Sequence, residues 1–374
     1  MLLMFILLLL HAYVGWRLIP ALGLAPALQW LIVALLLASW LLMPLALWAR
    51  RIRAQPWSDR LAWTGLLLMG LFSSLFVLTL LRDVLWLPLW AVSLRWALPG
   101  WLAPASAVAV PVLAALFTLW GLRNALRTAE VVHVDVPIAS LPPGLQGFSI
   151  VQISDVHVGP TIKRAYLQAI VERINALGAD MVAVTGDLVD GTVRELAHHV
   201  APLAALSSRH GTFFVTGNHE YYSGAQAWVD ELRRLGLRVL MNEHVLLRHG
   251  GSSLALAGVA DFSAHHFDES HRSDPQAAIA GVSDEVRVRV LLAHQPRSAS
   301  AAAAAGFQLQ LSGHTHGGQF LPWNFLVRLQ QPFTAGLNRW QDLWVYTSRG
   351  TGYWGPPKRL GAPSEITHLR LVAA

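Results

Sequence analysis

The chain has 374 residues, enough for two domains or for one domain joined to a membrane region. Apolar residues make up 54% of it and charged residues only 13%, about half the charged share of a typical soluble protein, so part of the chain is expected outside water. It contains no cysteine, which excludes disulfides, thiolate nucleophiles and zinc–thiolate sites.

Positive charge is concentrated in the first third of the chain. Residues 1–122 contain seven Arg, no Lys and two Asp, a net charge of +5, whereas residues 123–374 carry a net charge of only +1. A nucleic-acid-binding protein would cluster basic residues on its folded domain. We therefore expect no nucleic-acid partner, and nothing in the sequence indicates an obligate protein partner.

Apolar stretches in this first third predict about four membrane-spanning helices, since roughly 20 apolar residues cross a bilayer. They are Leu2–Trp16, Ala27–Trp48, Leu61–Leu81 and Pro104–Leu122. The first is short enough to be a signal-peptide core, but no basic residue precedes it and more spans follow, which favours a retained helix. A further apolar piece, Val84–Leu94, would raise the count to five if it crossed the membrane separately.

Basic residues between the spans predict the orientation. Arg50, Arg51, Arg53 and Arg60 lie between the second and third spans, and further Arg residues follow the last span. Because positively charged loops stay in the cytoplasm, four spans would place both basic segments and the C-terminal region there. We expect an integral protein of a bacterial inner membrane, with a multi-span region at 1–128 and a cytoplasmic catalytic domain at 129–374.

From about Glu130 onward, short apolar strands alternate with amphipathic helices, which indicates an α/β layered domain. The predicted helices are Arg164–Leu177, Glu195–Leu206 and Ala225–Leu235. The predicted strands are Phe148–Ile153, Met181–Val184, Thr212–Val215, Leu237–Met241, Val286–Leu292, Phe307–Leu311, Leu343–Thr347 and Ile366–Leu371. The last strands lack clear intervening helices, so the sheet is expected to become mixed.

Five of these strands are followed directly by side chains that bind metals. The candidate ligands are Asp155, His157, Asp187, Asn218, His294, His314 and His316. Sites in open α/β sheets form at the C-terminal ends of strands, so these groups are expected to converge. A carboxylate has two oxygens and can bridge two cations, a role that suits Asp187. Nitrogen and oxygen ligands without sulfur suit manganese, which we expect first, or iron, zinc, nickel or cobalt.

His219 is a candidate catalytic residue outside the ligand set. It follows Asn218 directly and would donate a proton or hydrogen bond to the leaving oxygen, while two metal ions about 3.5–4 Å apart hold the phosphoryl group and activate a water. The neighbouring Glu220 could orient its ring, although adjacent side chains often diverge. We interpret Asp190 as a loop or helix-cap residue.

The order of these blocks resembles the calcineurin-like metallophosphoesterase superfamily. The blocks are Asp155-x-His157, Gly186-Asp187, Gly217-Asn218-His219-Glu220, His294 and Gly313-His314-x-His316. The resemblance covers about residues 145–370 and implies a four-layer α/β/β/α sandwich. It also implies one divalent metal ion on Asp155, His157, Asp187 and His316, and a second on Asp187, Asn218, His294 and His314. The segments around His314-x-His316 and Ser348-Arg349-Gly350 look like the bacterial membrane-associated branch.

Three functions fit the sequence. The first is a membrane-anchored phosphoesterase that hydrolyses phosphodiester or pyrophosphate bonds of a lipid-linked substrate, such as a UDP-diacylglucosamine-type lipid A precursor. The second is a phosphatase or nucleotide phosphodiesterase for soluble substrates, with the membrane part only an anchor. The third is a transporter or sensor with an accessory phosphoesterase-like domain, for which His11 and Arg17 are the only hints in the spans.

Two segments near the end of the ligand blocks have open interpretations. The apolar stretch Gly318–Phe333 is either a lip that dips into the membrane interface or an ordinary packed loop. The cations Arg349, Lys358 and Arg359 either hold a phosphate or lipid headgroup or are solvated charges.

Overall fold

The computed structural model describes residues 2–49, 52 and 54–374, so Arg50, Arg51 and Arg53 of the basic loop lie outside the described residues. The chain forms two compact units. A helical unit comprises the chain up to Asn124 together with residues 355–358, and an α/β unit comprises residues 125–354 and 359–374.

The helical unit contains four long apolar helices. They are α1 (Leu2–Leu18), α2 (Pro26–Trp48), α3 (Trp57–Ser93) and α4 (Leu102–Leu126). Among the described residues, these four are long and apolar enough to cross a membrane. Many of their Leu and Trp side chains are exposed, as lipid-facing side chains are in the absence of a bilayer. Val84–Leu94 is not a separate span, because α3 runs through it as one helix of 37 residues.

Polar side chains in the helical unit connect one helix to another. The Nε and Nη2 atoms of Arg17 donate to the Asp83 carboxylate at 2.7 and 2.8 Å, and the Tyr13 hydroxyl donates to it at 2.6 Å. The ring of His11 stacks on Phe72 with ring centroids 3.6 Å apart. A charge in an apolar helix is stabilised by such pairing. Arg17 and His11, the two sequence hints of a transport path, therefore both take part in helix packing.

The α/β unit contains twelve strands and seven α-helices. The strands are β1 (Glu130–Ile138), β2 (Ser149–Ile153), β3 (Met181–Thr185), β4 (Thr212–Val215), β5 (Arg238–Val239), β6 (Glu243–His249), β7 (Ser252–Gly258), β8 (Val288–Leu292), β9 (Leu309–Ser312), β10 (Gly336–Trp340), β11 (Leu343–Thr347) and β12 (Glu365–Ala373). The helices are α5 (Arg164–Asn175), α6 (Val193–Val200), α7 (Asn218–Ser223), α8 (Ala225–Arg234), α9 (Pro275–Ile279), α10 (Ala299–Ala304) and α11 (Asn324–Val327).

These strands form two six-stranded sheets. The first has the order β1-β12-β2-β3-β4-β5, with β2 to β5 parallel and β12 antiparallel to β2. The second has the order β10-β11-β9-β8-β7-β6, parallel in the middle and antiparallel at both edges. Both sheets are therefore mixed, and β1, β6, β7 and β10 are strands that the sequence did not predict.

Alternating side chains divide the α/β unit into layers. Val151 and Val182 face α5 and α8 in one core, whereas the adjacent Ile150 and Met181 face the second sheet in another. The outer face of the second sheet packs against α9 and α10 in a third core. Because successive residues of a strand point to opposite faces, one run such as Ser149–Ile153 supplies two cores. The predicted four-layer α/β/β/α sandwich preceded by apolar helices is confirmed.

Candidate metal centre

The five strands that carry the predicted ligands end at one site. Three of them, β2, β3 and β4, belong to the first sheet, while β8 and β9 belong to the second. Hydrogen bonds join their exit loops: Asp155 N–H donates to the Gly186 carbonyl at 3.0 Å, and Gly313 N–H donates to the His294 carbonyl at 2.9 Å. All seven predicted ligands and His219 therefore lie around the same site, although they come from two sheets.

Asp155, His157 and His316 form one cluster. The Nε2 atoms of the two histidines are 3.0 Å apart, and His316 Nε2 lies 3.5 Å from the nearer Asp155 oxygen. Two nitrogens bound at right angles to an ion at about 2.1 Å would be about 3 Å apart. The facing nitrogens of His157 and His316 fit that arrangement.

His294 and His314 form a second cluster with Asp187. His314 Nδ1 lies 3.2 Å from His294 Nε2, which lies 3.1 Å from Asp187 Oδ2. The same carboxylate oxygen lies 3.9 Å from His157 Nε2 in the first cluster. The Asp187 carboxylate therefore stands between the two groups, where one side chain reaches both.

The buried Asn218 side chain has an unsatisfied acceptor. Its Oδ1 atom is inaccessible to water and has no hydrogen-bond partner among the described residues. An unpaired buried amide oxygen costs about 1–3 kcal/mol unless another group compensates it. A cation bound at this oxygen would supply that compensation, so the donor set fits a metal ion.

Electrostatics favour the neutral form of two of the histidines. Burial, together with the nearby His294, lowers the pKa of His314 to about 3. Burial and the Arg359 guanidinium hold the pKa of His316 well below its usual range. A histidine must be unprotonated to bind a metal ion, so both rings are in the competent form at neutral pH.

The backbone of the predicted ligands is unusual. Asp155, His157, Asp187, His314 and His316 all have positive φ angles, between 51° and 70°, and they are five of the nine non-glycine residues with positive φ in the described chain. Such conformations are disfavoured for residues with a Cβ and concentrate at functional sites. They turn successive side chains from each strand exit toward the same site.

Two glycines allow the exit loops to approach one another closely. A Cβ atom at Gly217 would overlap the Asp187 carboxylate, and one at Gly313 would overlap the Asp155 carboxylate and the Ser154 hydroxyl. Any larger residue at either position would displace a predicted ligand.

Asp190 lies in a loop, as predicted, but its buried carboxylate also links His219 to the first cluster, a role that the sequence did not indicate. Its Oδ1 atom lies 2.5 Å from His219 Nδ1 and 3.2 Å from His157 Nδ1. Burial alone would lower the pKa of His219, but the hydrogen bond that it donates to Asp190 and the nearby Asp187 charge raise it to about 9. His219 is therefore an imidazolium at neutral pH in the metal-free protein, with its Nε2 atom 3.9 Å from Asp187 Oδ2.

Glu220 supports the Asp187 loop and does not orient His219. Its fully buried carboxylate accepts hydrogen bonds from the backbone N–H groups of Gly217, Asp187 and Leu188 at 2.6, 3.0 and 2.8 Å. The same carboxylate therefore satisfies backbone N–H groups at the start of α7 and in the turn after β3. Any effect of Glu220 on the site therefore acts through the position of Asp187.

Arg359 contacts the site through the Nδ1 side of His316 and is neither solvated nor exposed to a substrate. It is fully buried and donates to the backbone carbonyls of His316, Arg349 and Gly352, while Nη2 lies 3.0 Å from His316 Nδ1. Lys358 groups with the helical unit, where Nζ donates to the Gly70 carbonyl at 2.9 Å. No local signal in the Lys-Arg pair distinguishes these two roles.

Exposed aromatic residues border His219. The rings of Tyr222 and Trp354 lie 5.2 and 5.6 Å from the His219 ring, and Phe267 lies 5.6 Å from Tyr222. All three are more than half exposed. The side of the site next to His219 is therefore open and apolar.

Comparison with known proteins identifies similar chains. The calcineurin-like phosphoesterase family matches residues 148–318. A transmembrane protein with a metallophosphoesterase domain is 38% identical over 271 residues in Danio rerio and 41% identical over 285 residues in Bos taurus, covering 70% and 73% of this chain. An uncharacterized metallophosphoesterase of Campylobacter jejuni is 36% identical over 262 residues, which are 70% of this chain and 68% of that protein. The chain matches only 62% and 63% of the length of the two vertebrate relatives.

Proposed function

Because this chain belongs to the calcineurin-like phosphoesterase family, we propose that it is a membrane-anchored, metal-dependent phosphoesterase. The observation that carries the proposal is the pairing of imidazole nitrogens, His157 with His316 and His294 with His314, on either side of the Asp187 carboxylate. The orphaned Asn218 oxygen supports the same assignment.

We assign the seven side chains to two divalent metal ions. Asp155, His157, Asp187 and His316 would hold one, and Asp187, Asn218, His294 and His314 the other. The closely spaced groups Asp155–His157–His316 and Asp187–His294–His314 support this assignment. When bound, such ions would neutralise phosphoryl charge and supply an activated water. Manganese is the first metal to test, with iron, zinc, nickel and cobalt as alternatives that the same nitrogen and oxygen donors accept.

His219 would serve as the proton donor in this reaction. Its Nδ1 is held by Asp190 at 2.5 Å, and Nε2, which lies 3.9 Å from Asp187 Oδ2, is the nitrogen that would face the substrate. An imidazolium so placed stabilises the departing alkoxide, and its benefit grows as the leaving group becomes more basic.

We further propose that the substrate is a lipid-linked phosphodiester or pyrophosphate, such as a UDP-diacylglucosamine-type lipid A precursor. The exposed rings of Tyr222, Phe267 and Trp354 beside His219 offer an apolar surface to the leaving part of such a molecule. The four apolar helices keep the domain near the membrane in which lipid substrates reside. We place the domain in the cytoplasm of a bacterial cell because Arg60, Arg123 and Arg127 flank the spans on that side in the predicted orientation.

The activity is tested with the full chain in detergent, supplied with manganese and bis(p-nitrophenyl) phosphate. Asp187→Asn should abolish hydrolysis, because the shared carboxylate serves both ions. It should also lower the amount of bound metal, which is measured by elemental mass spectrometry. The matched control is Asp342→Asn, which changes a fully exposed carboxylate outside the site. Retention of activity by Asp187→Asn with normal metal content would refute the two-metal assignment.

The substrate class is tested by comparing lipid-linked and short-chain diphosphates in mixed micelles. A membrane substrate predicts a higher kcat/KM for the long-chain compound and a rate that depends on its surface concentration in the micelle. Equal kcat/KM values and dependence on bulk concentration would instead indicate a soluble substrate, with the helices acting only as an anchor.

A further inference from the structure

The chain leaves the metal centre through a segment whose apolar side chains point into solvent. We call residues 321–329 the apolar projection; it includes the short helix α11. Its exposed large side chains are Leu321, Trp323, Phe325, Leu326 and Leu329. Phe325 is 70% exposed and Leu329 is 80% exposed, so neither contributes to a core of the α/β unit. The interpretation of this segment as an ordinary packed loop is therefore wrong for its central residues.

One end of the apolar projection is fixed to Trp354, whose ring lies beside His219, and the other to Gln295, which follows the predicted ligand His294. Before it, Gln319 donates through Nε2 to the Trp354 carbonyl and accepts from Trp354 N–H through Oε1, both at 2.8 Å. After it, the buried Gln331 donates to Gln295 Oε1 and accepts from Arg297 N–H, both at 3.2 Å. Buried side-chain hydrogen bonds of this kind hold a segment in one position. The projection is therefore a built feature of the fold that presents apolar side chains outward.

The composition of the apolar projection matches that of segments that lie in a membrane interface. It contains Leu, Phe and Trp, one exposed cation (Arg328) and no acidic residue. Aromatic residues favour the headgroup region, and a basic residue is attracted to anionic headgroups. Exposed apolar clusters in soluble domains are otherwise a liability for aggregation.

We infer that the apolar projection inserts into the headgroup–acyl boundary of a lipid bilayer. The occupant is a bilayer because the same chain carries four helices that are long and apolar enough to cross one. Insertion would hold the open, aromatic side of the metal centre at the level of the lipid headgroups, through the Gln319–Trp354 connection. The inference does not require a lipid substrate, so it can fail while the proposed activity stands.

The absence of cysteine makes a direct test simple, because a single introduced cysteine can be labelled with a nitroxide without background. Phe325→Cys and Leu329→Cys are the test positions. Leu246→Cys is the matched control, since Leu246 is also an exposed leucine, 53% accessible on β6, but its neighbours on the same face of the strand are His244 and Arg248. Each full-length variant is placed in nanodiscs of phosphatidylethanolamine and phosphatidylglycerol, and collisions with oxygen and with a water-soluble nickel chelate are measured by electron paramagnetic resonance.

Insertion predicts a severalfold higher ratio of oxygen to nickel collisions at positions 325 and 329 than at position 246. A ratio equal to that of the control would refute the inference. A second copy of the chain could also exclude nickel from these positions. In that case the spectra would show dipolar broadening, and both the broadening and the exclusion would disappear on dilution with unlabelled chain, which would also refute the inference. Two independent positions guard against one variant that misfolds, which its thermal unfolding would reveal.

Discussion

Replacing Asp190 with Asn should detach His219 from the carboxylate that keeps it protonated. The pKa of His219 is raised to about 9 by this hydrogen bond and by the charge of Asp187, against the lowering effect of burial. The difference from the ordinary value of 6.5 corresponds to about 3 kcal/mol in favour of the imidazolium. An asparagine of the same shape removes the charge-assisted hydrogen bond, which is the larger of the two interactions that raise the pKa. The pKa of His219 is therefore expected to fall to about 6.5 or lower.

The expected effect depends on pH and on the leaving group. At pH 8, a group of pKa 9 is about nine-tenths protonated and one of pKa 6.5 only about one-thirtieth, so proton donation should fall about thirtyfold. The falling limb of the pH–rate profile should move to lower pH, because the donor loses its proton as pH rises through its pKa and the variant lowers that pKa. Diesters with alkyl leaving groups should show the full loss, whereas p-nitrophenyl esters, whose leaving group needs no proton, should show little.

The assay is a pH–rate profile for both classes of ester in the wild-type chain, Asp190→Asn, His219→Ala and the double variant. If Asp190 acts through His219, the double variant should be no slower than His219→Ala alone. Asp190 also lies 3.2 Å from His157 Nδ1, so metal content is measured in parallel. Additive losses in the double variant, with normal metal content, would refute the role of Asp190 as the positioning residue of His219.

Three further predictions concern support of the site and its orientation. Arg359→Lys keeps the charge but loses the planar fork that bonds the His316 ring and four backbone carbonyls, those of His316, Arg349, Gly352 and Ala362. Metal should therefore be lost to a chelator faster than from the exposed control Arg339→Lys. Glu220→Gln places an amide against three N–H donors and should lower the free energy of unfolding by about 2–3 kcal/mol, seen as a lower Tm. An unchanged Tm would contradict the structural role of Glu220. A single cysteine at the exposed Ser283 should react with an impermeant maleimide in inverted vesicles and not in intact cells, and the reverse labelling would place the domain outside.

Much of the site was predictable because its signals are local. A strand that ends in Asp155-x-His157, or in Gly313-His314-x-His316, shows both the apolar run and the ligands in fewer than ten residues. Parallel strands expose their C-terminal ends at one edge, so the convergence of these groups follows from general rules. The apolar helices were equally visible, because a bilayer demands long uncharged runs.

The supporting residues had no such signal. Asp190 follows Asp187 by three positions, as a cap residue would, and only the folded loop brings its carboxylate between His157 and His219. Arg359 lies 43 residues after His316, and its partners are backbone carbonyls, which any sequence provides. β10 was missed because it lies at the edge of its sheet and buries none of its residues fully, so it lacks an apolar run.

The sequence by itself determined the apolar helices, the alternation of strands with helices and the side chains that gather at the strand ends, because each depends on patterns within a few turns or strands. Tertiary structure alone decided that the ligands come from two sheets, that Asp190 and not Glu220 holds His219, and that Arg359 is buried behind His316. These outcomes depend on contacts between residues far apart in the chain, and the packing of whole layers selects such contacts. The apolar projection was determined partly by each: its composition is plain in the sequence, but its exposure follows from how the tertiary structure fixes its two ends.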